Sequence, residues 1–190
     1  MALYFCCVKP LLVAMCLVAT SSVVVTAQNA EEVRTRAESG EAEAQYYLGV
    51  MYKTGDWVQK NDTEAARWYR LAADQGHADA QATLGNMYAM GVAIPENLDA
   101  ALRYSRLAAN QGNARGLSNL AGMYEIGLGV PQNDVMAYMY MNLAASRESR
   151  PAPRRIWGQA RDEAAARLTP DQRAEGQRLA LEWDAAHPRD

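Results

Sequence analysis

The chain has 190 residues, of which 49% are hydrophobic and 22% charged, with a net charge of -3 at pH 7. That is room for one domain or one short array with a sizeable core, and no large single-sign block points to nucleic acid. One Phe against ten Tyr, with abundant Ala, suits closely packed helices better than a β-sandwich.

Residues 1–27 read as a secretory signal peptide. The apolar stretch from Leu11 to Ala19, followed by Val23, Val24 and Val25, is too short and too broken for a membrane span. Small side chains at Val25, Thr26 and Ala27 place the cut after Ala27. The charged region offers only the amino terminus and Lys9, so an uncleaved N-terminal anchor is the competing reading. Cys16 follows Met15, where a lipoprotein signal wants Gly or Ala. All three cysteines (Cys6, Cys7 and Cys16) lie in this segment, so the exported chain would carry neither a disulfide nor a thiolate–metal site. The expectation is a periplasmic or secreted protein, with residues 28–37 as a lead-in.

From residue 38 to residue 146 the sequence says nearly the same thing three times, at an offset of 36 residues. Leu48, Leu84 and Leu120 coincide, as do Met51, Met87 and Met123, and Tyr52, Tyr88 and Tyr124. Gly55, Gly91 and Gly127 follow, then Asn61, Asn97 and Asn133. Trp68, Tyr104 and Tyr140 align, and an Ala-Ala pair recurs at 72–73, 108–109 and 144–145. A fixed period of this length is the signature of a repeat architecture.

Each unit (about 40–75, 76–111 and 112–146) predicts two helices around a glycine-bearing loop. In the first unit helix A covers about Glu41–Lys53 and helix B about Asp62–Gln75. Ala44, Leu48, Met51 and Tyr52 share one face of helix A, and Ala65, Trp68, Ala72 and Ala73 one face of helix B. These repeated aromatics and methionines are expected in the core. Gly49, Gly85 and Ala121 allow close approach of the two helices. Gly55, Gly91 and Gly127 end helix A, and Gly76 and Gly112 end helix B. Asn61, Asn97 and Asn133 cap helix B, with Glu64 completing a capping-box pattern in the first copy. The fold class is therefore all-α: a short α-solenoid of three 36-residue helix-turn-helix repeats with a C-terminal helical cap.

The pattern Ala-x-Ala-x-x-x-Leu-Gly-x-x-Tyr-x-x-Gly, then Gly-Val-x-x-Asn, then Ala-x-x-Trp/Tyr-x-x-x-Ala-Ala-x-x-Gly resembles the Sel-one-like repeat (SLR) family, relatives of tetratricopeptide repeats. The third loop, Gly127-Leu128-Gly129-Val130, fits best. Trp57 and Ala93 stand where the family has its second loop glycine. The resemblance implies an adaptor or binding platform for another protein or peptide. It also supplies the alternative, an envelope hydrolase acting on β-lactam or cell-wall material, as associated with cysteine-rich members.

In the tail, residues 147–153 are expected as a linker because Pro151 and Pro153 oppose helix. A helix over about 154–168 follows, then Thr169, Pro170 and Gln172 mark the start of a second, running to about Ala185 with Leu179 and Trp183 on its packing side. This pair caps the array, and His187 is expected in a frayed end. Arg147, Arg150, Arg154 and Arg155 form a cluster read as solvated, with an anionic partner as the alternative.

Chemistry finds little support. Neither His77 nor His187 has metal-site spacing, and no P-loop, Gly-x-Ser-x-Gly or Gly-x-Gly-x-x-Gly occurs. No catalytic, metal or cofactor residue is expected. What remains is the part of helix A that differs between copies: Glu43, Tyr46, Tyr47, Val50 and Lys53, with counterparts Asp79, Ala82, Thr83, Asn86 and Ala89, then Arg115, Ser118, Asn119, Gly122 and Glu125. Scaffold positions stay the same while a binding face is free to vary. Tyr46, Tyr47, Lys53, Thr83, Asn86, Ser118 and Asn119 are therefore the candidate protein-binding residues. Self-association through an uncapped end is a further possibility.

Overall fold

In the computed structural model, residues 29–188 are described; the expected signal peptide lies outside them. They form nine helices and, among themselves, no strand. The helices are α1 (29–38), α2 (Ala42–Thr54), α3 (Asp62–Asp74), α4 (Ala78–Met90), α5 (Leu98–Asn110), α6 (Ala114–Ile126), α7 (Asp134–Arg147), α8 (Pro151–Ala166) and α9 (Pro170–Ala186). Helices α2, α4 and α6 are the A helices and α3, α5 and α7 the B helices. Each A helix packs on its own B helix, each of α3 and α5 packs on the next A helix, and α4 packs on α6.

The repeated residues build this stack. Leu48, Leu84 and Leu120 are each no more than 1% exposed, a burial that stabilises by about 1.5–3 kcal/mol per side chain. Trp68 and Tyr104 are buried beside them, while Tyr88 stacks on Tyr104 and Tyr124 on Tyr140 at 5.9 and 5.7 Å. Close helix contact depends on Gly49 and Gly85. A Cβ on Gly49 would lie 2.7 Å from the Tyr69 ring, and one on Gly85 would lie 2.7 Å from Ser105 Oγ.

Loop chemistry follows the expected residues. Asn61, Asn97 and Asn133 cap helix B, each side-chain oxygen accepting from backbone N–H groups of the first turn. The capping box expected of Glu64 does not form. Its partner, the Asn61 N–H, already donates to the Tyr52 carbonyl at 2.9 Å. The Glu64 carboxylate accepts from Arg67 Nε instead, at 3.0 Å. At the end of α3, Gly76 N–H donates to Ala73 O and His77 N–H to Ala72 O, the paired bonds of a Schellman turn.

A glutamine ladder joins the units, and the sequence reading missed it. Gln75 Nε2 donates to Gly40 O and to Gln45 Oε1. One period later Gln111 Nε2 donates to Gly76 O and to Gln81 Oε1. The buried Gln45 and Gln81 donate in turn to Ala37 O and Ala73 O. Ala37 thus occupies in α1 the place that Ala73 holds in α3. The lead-in is a B-type helix that covers the first unit, with Ala37 and Val33 packed toward Leu48 and Trp68.

One further period places Arg147 where the ladder has glutamine, and there the array ends. The largely buried Arg147 guanidinium donates to Asp184 Oδ1 and to the His187 carbonyl, and lies 4.9 Å over the Trp183 ring. His187 is not frayed: its ring stacks on Trp183 at 4.0 Å. Helix α8 begins at Pro151, inside the stretch expected as linker. In the first turn of a helix the missing proline N–H would have no partner in any case, so Pro151 and Pro153 are accommodated. Thr169 and Gln172 form the expected capping box of α9.

Candidate functional site

Most of the A-helix residues that differ between copies line three grooves once folded. Lys53, Thr83 and Asn86 line one groove of about 320 Å³, together with Met87, Met90, Val92 and Arg115. Asn86, Ser118 and Asn119 line a second of about 210 Å³ with Gly85, Ala89, Ser105 and Gly122. Asn86, exposed on α4, belongs to both. Tyr47 lines a third, of about 290 Å³, with Val33, Val50, Met51 and the exposed Trp57.

Several of these side chains are also committed to the scaffold. Tyr46 stacks on the His77 ring at 4.7 Å and lies 5.8 Å from the Tyr69 ring. His77 caps α4: its Nδ1 accepts from the Ala80 N–H at 3.2 Å, which leaves Nε2–H to donate to Glu43 at 2.8 Å. The Thr83 hydroxyl donates to Asp79 O and accepts from Arg115 Nη1 at 3.1 Å. Asn119 Nδ2 donates to the Ala82 carbonyl at 2.8 Å, bridging α6 and α4. Lys53 Nζ is 3.3 Å from Asp62. Of the set, Asn86 and Ser118 make no side-chain hydrogen bond or ion pair among the described residues.

Residues that the sequence reading did not name as candidates supply much of the lining. Met87, Met90, Val92 and Arg115 form most of the larger groove, and the exposed Trp57 lies beside Tyr47 in the third. Met90 carried a signal: it is an exposed apolar residue beside a helix-ending glycine, where the other copies have Thr54 and Ile126. The second groove gave none, since it arises from a residue too small rather than from one present.

Two members of the arginine cluster are committed to the fold. Arg147 is taken up as described, and Arg150 donates to both oxygens of the buried Glu148 at 3.0 and 2.8 Å. The Arg150 guanidinium holds the Glu148 carboxyl below the usual carboxylate range, against the opposing effect of burial. Burial pushes the Tyr69 phenol well above its usual range, so it stays protonated. Among the described residues, no group of three or more His, Cys, Asp and Glu could hold a metal ion, and no helix is long and apolar enough to cross a membrane.

A family model for the Sel1 repeat matches the chain three times, over residues 42–77, 78–113 and 114–149. The chain belongs to the Sel1 repeat family. Among solved structures it resembles a Sel1 repeat protein from Oxalobacter formigenes, at 31% identity and a TM-score of 0.57, over 70% of this chain and 98% of that one. It also resembles a protective antigen of uropathogenic Escherichia coli strains that displays an SLR fold. There the identity is 25% and the TM-score 0.54, over 83% of this chain but only 41% of the antigen. No curated protein sequence matches it. Sel1 repeat proteins typically mediate protein–protein interactions and are generally non-catalytic scaffolds.

Proposed function

We propose that this Sel1 repeat protein is a non-catalytic adaptor of the bacterial cell envelope that holds a protein or peptide segment along the face made by α2, α4 and α6. The observation that carries the reading is a division of labour within helix A. Leu48, Leu84 and Leu120, identical in all copies, are buried, while Lys53, Thr83, Asn86, Ser118 and Asn119, at positions that differ, line adjoining grooves that meet at Asn86. Solenoids use such a face because stacking leaves it continuous across units. Amide and cationic groups of Asn86, Lys53 and Arg115 match the carbonyls and acidic side chains of an extended peptide, and Met87, Met90 and Val92 add apolar contact. Lys53→Glu with Asn86→Ala should abolish capture of the partner from a cell-envelope extract while leaving helicity by circular dichroism unchanged. Equal capture by the native protein and the double variant would remove the assignment to this face. The envelope assignment rests on residues 1–27 and is tested by fractionation: recovery of the unprocessed chain in the cytoplasm would contradict it.

A further inference from the structure

The repeats report on each other, and one comparison shows a missing side chain. In the first unit the Tyr69 ring fills the space between helices α2 and α3 and the next A helix, against Gly49 and packed with Val50 and Met87. One period later every large member is replaced by a smaller one or repeats unchanged: Tyr69 becomes Ser105, Val50 becomes Asn86, Gly49 becomes Gly85 and Met87 becomes Met123. The space does not close. It remains as the groove of about 210 Å³, larger than the ~150 Å³ that suffices for a benzene ring in an engineered cavity. Ser105 lies on its lining, 1% exposed, and its hydroxyl has no hydrogen-bond partner among the described residues. A buried hydroxyl left in that condition costs about 1–3 kcal/mol, an arrangement that bare packing would not favour.

We propose that this slot receives a tyrosine side chain from the bound partner, occupying between the second and third units the place that Tyr69 fills between the first and second. The proposal rests on the peptide-binding reading above and specifies its anchor. The ring would lie over Ser105, which packs against Gly85, and beside Met123, whose sulfur suits an aromatic edge. Its hydroxyl would meet the polar mouth at Asn86 and Asn119. The Asn119 amide nitrogen is engaged with Ala82 O, so its oxygen is the acceptor offered.

The test uses p-cresol, the tyrosine side chain as a free molecule, titrated into the full chain and followed by amide NMR. Binding with a Kd on the order of 1 mM is expected for so small a ligand, with shifts centred on Gly85, Ser105 and Gly122. Ser105→Tyr rebuilds the first-unit arrangement and should weaken p-cresol binding at least ~10-fold. Gly122→Val adds bulk to the slot's own lining, and a Cβ there meets nothing within 4 Å. It should weaken binding similarly and decides the matter if Ser105→Tyr fails to fold. No shifts at the slot, or equal binding by native protein and variants, overturns the proposal. A partner still held by Ser105→Tyr but lost from Lys53→Glu with Asn86→Ala overturns the slot and leaves the adaptor reading standing. A partner lost from none of them removes the adaptor face, and p-cresol then reports on the slot alone.

Discussion

At the loop position filled by Gly129 in the third unit, φ is 70°, and Trp57 and Ala93 adopt the same left-handed conformation at 64° and 65°. A residue with a Cβ pays about 1–2 kcal/mol there, and the extra freedom of an unfolded glycine returns part of it. Ala93→Gly should therefore raise stability by about 0.5–1 kcal/mol in urea unfolding, and an unchanged or lower midpoint would count against strain at that loop. Trp57 gives its indole to an exposed groove from the same conformation, which fits the tendency of strain to collect at binding sites. Charge enters through Glu148. Its folded carboxyl titrates below its unfolded value, so the pair with Arg150 contributes fully above about pH 4.3 and fades as pH falls through the folded value. Glu148→Gln should lower stability at pH 7 by about 1 kcal/mol and flatten its decline on acidification. The check is a set of urea titrations from pH 3 to 7.

At the level of elements, the glutamine ladder and the Arg147 clasp set where units join and where they stop. Gln81→Leu removes the acceptor of Gln111 and the donor to Ala73 O, and should cost about 1–3 kcal/mol in chemical denaturation. Leu117 occupies the same register in the third unit, but there the facing residue is Arg147, which turns to α9. Arg147→Ala should cost about 2 kcal/mol and speed hydrogen exchange most in α9. Exchange that rises evenly along the chain would argue against a local clasp. The A and B helices were legible because Leu48, Asn61, Gly76 and their copies recur, and recurrence reports a shared backbone role. Helix α1 was not, because beyond Ala30, Arg34, Ala37 and Gly40 its residues depart from the period, and Glu32 and Val33 stand where α3 has Trp68 and Tyr69. The early start of α8 was hidden by Pro151 and Pro153, whose meaning reverses between the interior and first turn of a helix. Asn86 and Lys53 could be picked out as candidates because they differ between copies. The slot at Ser105 could not, since an empty space depends on three dimensions.

For the whole molecule, the stack leaves the A helices as a shared surface, capped at one end by α1 and at the other by α8 and α9. Binding along that surface crosses unit boundaries, so a bound peptide should raise the thermal midpoint and protect α4 and α6 together. The most direct measurement is site-specific photo-crosslinking in the cells that make the protein. A photoreactive residue placed at Asn86 is compared with one at Arg106, exposed on the B helix α5. The account predicts a discrete heavier adduct from position 86 and none from position 106. Adducts of equal yield from both positions, or from 106 alone, would contradict it.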